Sequence, residues 1–142
     1  MQYITETGVY LYLNQLPDQD MTLVRGRDRG VYMDDSILTS IKKLLGIPED
    51  YDPFDKDVVM HINTVFFSLN QIGVGPPNGF TISDKTTTWS EYLTDSTNLE
   101  AVKSYIYLKV RLLFDPPTSS VITESINRQI AELEWRLSVA AK

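Results

Sequence analysis

Few residues in this 142-residue chain could carry out acid–base or nucleophilic chemistry. His61 is the single histidine, and the chain has no cysteine. A general base needs a nucleophile within hydrogen-bond reach, and the serine of the same segment, Ser68, lies two helical turns away. A zinc site normally takes two or more His or Cys ligands, which this composition does not supply. We therefore predict a structural His61, no catalytic residues and no enzymatic activity.

A run of acidic residues at positions 49–57 could suggest a calcium site. It lacks the glycine at loop position six and the closing glutamate of an EF-hand. Carboxylates at this place also suit the start of a helix, because they favour the positive end of its dipole. The sequence therefore favours helix capping and a solvated surface, with no metal and no cofactor.

The glycine-rich segment 73–79 superficially resembles a phosphate-binding loop. No Lys-Ser or Lys-Thr pair follows it, and Pro76 and Pro77 remove backbone N–H donors that a phosphate cradle needs. The segment also follows a predicted helix instead of a strand. These differences make phosphate binding the less favoured interpretation.

The one basic cluster, residues 25–30, is short and is interrupted by Asp28. A nucleic-acid-binding tail is one interpretation of it. The formal net charge of −6, however, argues against a protein that coats DNA, since such proteins present a basic surface.

Length and composition fit one ordinary domain without disulfides. No apolar run approaches the roughly 18 residues of a membrane span. The first ten residues contain Glu6 and no Lys or Arg, so we do not expect them to form a secretory signal peptide.

Two helices are predicted before the glycine-rich segment. The first begins after a cap at residues 34–36 and ends at Gly46. The second is capped by Asp52, has Pro53 in its first helical position and ends at Gly73. Its apolar residues follow helical steps of four and three: Val58, Ile62, Val65, Leu69 and Ile72.

A long loop over residues 73–87 precedes three further helices. Two capping boxes, residues 88–91 and 97–100, open a one-turn helix and a longer helix that stops at Phe114. The last helix begins near Ser119 with an apolar stripe: Ile122, Ile126, Ile130, Leu133 and Leu137. Glu124–Arg128 and Glu132–Arg136 are predicted ion pairs on its other side.

The helix before Pro116 and Pro117 has almost no polar face, so we expect it to be buried on most sides. The central helix is thus expected to serve packing within the core or against neighbouring chains, which favours a role in assembly over an enzymatic one. Trp89 is predicted to anchor the core, whereas Trp135 fits either the core or a protein interface. The predicted fold is mainly α, a small helical bundle with a long ordered loop.

Residues 1–32 have a strand-like sequence pattern, unlike the helical pattern of the rest of the chain. Segments 9–13 and 21–24 have the pattern of short strands around Pro17 and Asp18. They predict either a small β-hairpin arm or a segment outside the natural domain, which would then comprise residues 33–142. In the second case Met33 is the start, and Arg29-Gly30 reflects a purine-rich ribosome-binding site in the nucleotide sequence.

Several segments of residues 36–139, taken together, resemble the head–tail connector (head-completion or adaptor) proteins of long-tailed bacteriophages. Each is modestly specific, and their order and spacing carry the resemblance. The segments are 54–55, 62–63, 69–76, 79–82, Trp89, 102–117 and 133–137.

The resemblance implies a structural virion protein, made in the bacterial cytoplasm and assembled at the neck. It implies a homo-oligomeric ring, a dodecamer in the virion, that docks below the portal protein, extends the DNA channel and receives the next neck or tail-completion protein. An acidic lumen would let DNA pass without sequence-specific binding. The alternative is a small DNA-packaging, terminase-associated protein, although no basic recognition helix is evident.

The resemblance also suggests which residues matter. The portal or neighbour interface is expected at Leu133, Trp135, Arg136 and Leu137, and truncation after Asp115 is expected to abolish portal binding. The structural residues of the family motif are Phe54, Asp55, Asn70, Gly73, Gly75, Pro76, Trp89, Arg111, Asp115, Pro116 and Pro117.

Overall fold

Helices account for the regular secondary structure of residues 35–142, the part of the chain that the computed structural model describes. They are α1 (Ile37–Leu45), α2 (Asp55–Gln71), α3 (Trp89–Tyr92), α4 (Leu99–Phe114) and α5 (Ser120–Ala140). This confirms the mainly α prediction for the described range. The predicted hairpin arm lies outside the described residues.

Helix α1 has the predicted ends. The Ser36 hydroxyl accepts a hydrogen bond from the Thr39 N–H at 3.1 Å, which satisfies one of the donors left open at a helix start. Gly46 follows the last turn with a φ of +84°, and its N–H bonds to the Lys43 carbonyl. Glycine adopts this left-handed conformation without the steric cost that other residues have.

Helix α2 begins two residues later than predicted. Pro53 lies in a turn in which the Asp55 N–H bonds to the Asp52 carbonyl at 3.1 Å, and Phe54 takes the N-cap position. The cap at Asp52 was therefore wrong, because its backbone closes a turn before the helix starts. The apolar stripe is confirmed from Val58 to Leu69, whereas Ile72 lies just beyond the helix and is half-buried.

Only one of the two predicted capping boxes forms. At α3 the Thr88 N–H bonds to the Glu91 carboxylate at 3.0 Å. At α4 the helix starts at Leu99, because Asp95 instead accepts the Thr97 N–H at 2.9 Å and closes a turn upstream.

Helix α4 is the centre of the bundle and packs against α1, α2 and α5. Five of its residues from the second turn onward are buried: Val102, Tyr105, Ile106, Leu108 and Val110. Its last turn is not enclosed, since Leu113 is 51% exposed. The expectation of burial on most sides was therefore wrong for that turn.

Helix α5 covers α4 with only part of its predicted stripe. Ile126 and Leu137 are buried, Ile130 and Leu133 are half-buried, and Ile122 is exposed. Of the two predicted ion pairs, the described residues show Arg136 Nε at 2.9 Å from Glu132 Oε2. The helix is thus held by its inner side and leaves a long outer face in solvent.

The chain direction in the bundle follows from contacts at the helix ends. Phe54 and His61, in the first half of α2, lie against Phe114 at the end of α4, and Phe66, in the second half, packs on Tyr92 ahead of the start of α4, so these two helices are antiparallel. The short connection through Pro116 and Pro117 turns α5 back along α4, and the Tyr105 hydroxyl donates to Glu134 at 2.7 Å. Consequently α2 and α5 run in the same direction.

Candidate assembly surfaces

The residues that could have carried chemistry are part of the packing. His61 is half-buried, and its ring centroid lies 6.4 Å from that of Phe114. Within residues 35–142 there is no group of three or more His, Asp or Glu side chains that could hold a metal ion. None of the helices described in this range is long and apolar enough to cross a membrane.

A buried lysine that the sequence did not single out connects α1 to the start of α2. The Lys42 side chain is 3% exposed, and its Nζ lies 2.7 Å from Asp55 Oδ1. The ammonium also donates to the carbonyls of Glu49 at 3.1 Å and Tyr51 at 2.8 Å. Two carbonyl acceptors and one carboxylate therefore surround the ammonium and compensate the burial of its charge. Part of the acidic run thus has a structural partner.

Two asparagines on α2, seven residues apart, bind the backbone of the long loop. Asn63 donates to the Ile82 carbonyl at 2.9 Å and accepts from the Ile82 N–H at 2.8 Å. Asn70 donates to the carbonyls of Pro76 at 3.1 Å and Pro77 at 3.3 Å. Because seven residues make about two helical turns, both amides face the loop. They fix its path along the helix.

We expect Asn63→Ala to lower the free energy of unfolding by about 2 kcal/mol, because it leaves two backbone groups of Ile82 unpaired. Backbone amide exchange over residues 79–85 should become faster. Thr64→Ala is the matched control, since that hydroxyl bonds only to the Met60 carbonyl of its own helix. Urea unfolding and hydrogen exchange measure both effects, and equal results for the two variants would contradict the role of Asn63.

Aromatic rings hold the same loop from the inside. Phe66, Phe80 and Tyr92 form a three-ring cluster with centroid separations of 4.6–5.2 Å. Gly75 passes over the Tyr92 ring so closely that a Cβ there would lie 2.6 Å from a ring carbon. Burial raises the pKa of the Tyr92 hydroxyl, so the ring stays neutral.

The remaining motif residues also support the fold. Trp89 is fully buried as predicted, and its indole N–H donates to the Ser40 hydroxyl at 3.1 Å. Arg111 reaches the Tyr107 hydroxyl at 3.4 Å, and its carbonyl accepts the Asp115 N–H at 2.8 Å. Gly73 has a φ of +91° directly after α2. Pro116 and Pro117 follow the end of α4 and start the turn into α5.

The residues predicted for an interface on α5 fall into two groups. Leu137 is 2% exposed, so it belongs to the subunit core and its prediction as an interface residue was wrong. Leu133 lies beside it and is half-buried. Trp135 is 65% exposed, which decides between the two interpretations of this residue in favour of a surface position. Arg136 is also exposed, but it lies roughly 100° around the helix from Trp135.

Helix α2 has an outward apolar face that sequence reasoning missed. Met60 and Phe67 are exposed, Phe67 to 63%, and with Val59 and Thr64 they line a shallow groove that also touches Lys56 and Asn63. This face was missed because the stripe of buried residues on the opposite side is sufficient to explain an amphipathic helix. The spacing of seven residues between Met60 and Phe67 could have indicated a second apolar face, since residues seven apart lie on the same side of a helix.

Comparison with known proteins agrees with this arrangement. The sequence profile of the family described as phage connector protein matches residues 37–142, which covers α1 through α5. Searches against curated proteins and against solved structures gave no match. The family is a structural one, and its members are components of phage particles that assemble with other head and tail proteins. Because the match covers well over half of the sequence, this chain belongs to the phage connector protein family.

Proposed function

We propose that this protein forms a ring below the portal, joins the capsid to the tail and extends the DNA channel. By the family resemblance the ring is a dodecamer in the virion neck, and the next neck or tail-completion protein binds to its far side. The observation that carries the proposal is the outer surface of the bundle. Phe67 and Trp135 are large, apolar and mostly exposed on two different helices, as expected for a subunit that buries them in an assembly.

Charge supports passage of DNA through such a ring. The net charge of the chain is −6, and carboxylates at the loops and helix starts are exposed, among them Asp50, Asp84 and Glu100. A lumen wall with acidic groups repels the phosphate backbone and opposes tight binding. DNA would therefore slide without sequence-specific contacts.

Native mass spectrometry of the full chain, with and without purified portal protein, tests this function. We expect a discrete portal-bound complex with one ring of copies, and closed rings in negative-stain images. An open filament or a two-fold dimer on the portal would contradict the proposal, because neither closes head-to-tail. If the protein does not bind the portal but shifts cognate DNA in a gel, the result would indicate the alternative, a small DNA-packaging protein.

Portal docking is assigned within this proposal to the Arg136 side of α5. Truncation after Asp115 would also remove Ile126 and Leu137 from the core, so a point variant is the sharper test. Arg136→Glu should weaken portal binding about tenfold, or about 1.4 kcal/mol. The reason is that the guanidinium proposed to face the portal protein is replaced by a carboxylate of opposite charge. Lys43→Glu, an exposed charge reversal on α1, is the control and should bind normally. Equal affinities for both variants in a titration with portal would contradict the assignment.

The extent of the domain stays a prediction as well. The family match begins at residue 37, four residues after the predicted start at Met33. Deleting residues 1–32 and repeating the portal titration tests whether that segment contributes to assembly.

A further inference from the structure

Two outward helix faces of this subunit correspond to one another in apolar composition, direction and charge. We propose that the outer face of α2 in one subunit packs against the outer face of α5 in the next subunit, in parallel, with Phe67 against Trp135 and Lys56 against Glu124. The proposal rests on the ring described above and names the surfaces that close it.

The face on α2 points directly away from the core. At about 100° per residue, Met60 and Phe67 lie within roughly 20° of each other and opposite the buried residues Val58, Ile62 and Leu69. Lys56 continues the same face toward the start of the helix. The described subunit places nothing over this face, and its shallow groove is wide enough to receive a side chain.

The face on α5 has the corresponding composition. Trp135 and Val139 are exposed one turn apart, and Val121 lies on the same side near the start of the helix. Glu124 and Arg128 lie on this side between them, and both are exposed. The core contacts of α5, Ile126 and Leu137, point to the opposite side.

Direction makes a parallel contact geometrically available. Since α2 and α5 are both antiparallel to α4, they run the same way within one subunit. In a closed ring of twelve, neighbours differ by a rotation of about 30°. The α2 of one copy and the α5 of the next therefore also run in nearly the same direction.

The register follows from the sequence. Lys56 precedes Phe67 by eleven residues, and Glu124 precedes Trp135 by eleven residues. In a parallel pair with the two aromatic rings in contact, the Lys56 ammonium and the Glu124 carboxylate come opposite each other roughly 16 Å from the rings, toward the N-terminal ends of both helices. Neither Lys56 nor Glu124 takes part in the ion pairs of the described subunit. Opposite charges in this position would fix both register and direction.

The contact is heterologous, because it joins two different surfaces of the same chain. Such a contact leaves one α2 face and one α5 face open at the ends until the last copy closes the ring. An isologous dimer would instead pair α2 with α2 or α5 with α5.

Site-directed crosslinking tests the proposed contact, since the natural chain has no cysteine. Met60→Cys and Arg128→Cys lie seven residues before Phe67 and Trp135, so the same register brings them together. With a short bis-maleimide on the portal-bound protein, we expect the double variant to give a ladder up to the full ring. Each single variant should give monomers only. Met60→Cys with Asn127→Cys, rotated about 100° on α5, is the matched control and should give little product.

Charge exchange gives a second, independent measurement. Lys56→Glu and Glu124→Lys should each lower the fraction of complete rings at least tenfold, and the two together should restore it. Circular dichroism and thermal unfolding confirm that each variant is folded. Complete rings on the portal without a crosslinked ladder would overturn this contact and leave the proposed function intact. Dimers from a single-cysteine variant would overturn it in favour of an isologous contact, and absence of any ring would overturn both.

Discussion

Lys42→Met should lower the free energy of unfolding by about 3 kcal/mol, the largest effect that we expect from a single polar residue. The substitution keeps the length of the side chain but removes the donor of three short contacts, to Asp55, Glu49 and Tyr51. Asp55 then has no cation beside it, and two carbonyls lose a partner. The carboxylate is 31% exposed, so water reduces the cost to the low end of the range for broken buried pairs.

The neighbouring residue supplies the control for this prediction. Lys43 is on the same helix and is exposed, so Lys43→Met should change stability by less than about 0.5 kcal/mol. Urea unfolding of the full chain, followed by circular dichroism, compares the two variants directly. Equal midpoints would show that the Lys42 ammonium does not stabilise the connection between α1 and α2.

Gly75→Ala should cost about 3 kcal/mol for two separate reasons. Its φ of +90° disfavours any L side chain by about 1 kcal/mol. The added methyl would also lie 2.6–2.8 Å from three atoms of Tyr92, and relieving this overlap costs a further 1–3 kcal/mol or so. The Tyr92 ring cannot easily move, because Phe66 and Phe80 pack against it.

Gly79→Ala distinguishes the backbone cost of a positive φ from the steric cost of the overlap with Tyr92. Gly79 has nearly the same φ, +89°, but nothing lies within 4 Å of a Cβ built there, so only the backbone cost of about 1 kcal/mol remains. Thermal unfolding of both variants should therefore give a clearly larger loss at Gly75. A smaller loss for Gly75→Ala in a Tyr92→Leu background would identify the ring as the cause. Equal losses at the two glycines would rule out the steric contribution.

Local features of the fold could be predicted because their partners are close in sequence. Ser36, Gly46 and the capping box at Thr88 each act on a backbone group within four residues, so the pattern itself contains the interaction. The failed capping box at Thr97 shows the limit of this reasoning. Asp95 offered the Thr97 N–H a nearer acceptor, and a short sequence motif cannot rank two competing local acceptors.

Long-range partners could not be predicted in the same way. Lys42 binds carbonyls seven and nine residues away, and carbonyls are present at every position, so no residue type indicated the site. Asn63 was recognised as part of a motif, but its partner is the backbone of Ile82. The outward face of α2 was missed because Met60 and Phe67 resemble ordinary core residues until the buried side of the helix is known.

The anchoring of the loop by Asn63 and Asn70 makes part of its shape independent of its exposed side chains. Both amides bond to main-chain atoms, which every sequence possesses, so these bonds do not depend on the side chains that project into solvent, whereas Phe80 and Ile82 hold the loop from the inside. Residues such as Thr81, Ser83 and Lys85 point into solvent and can be exchanged without loss of these bonds. The loop is therefore a fixed frame on which new recognition surfaces can evolve, or be engineered, one side chain at a time.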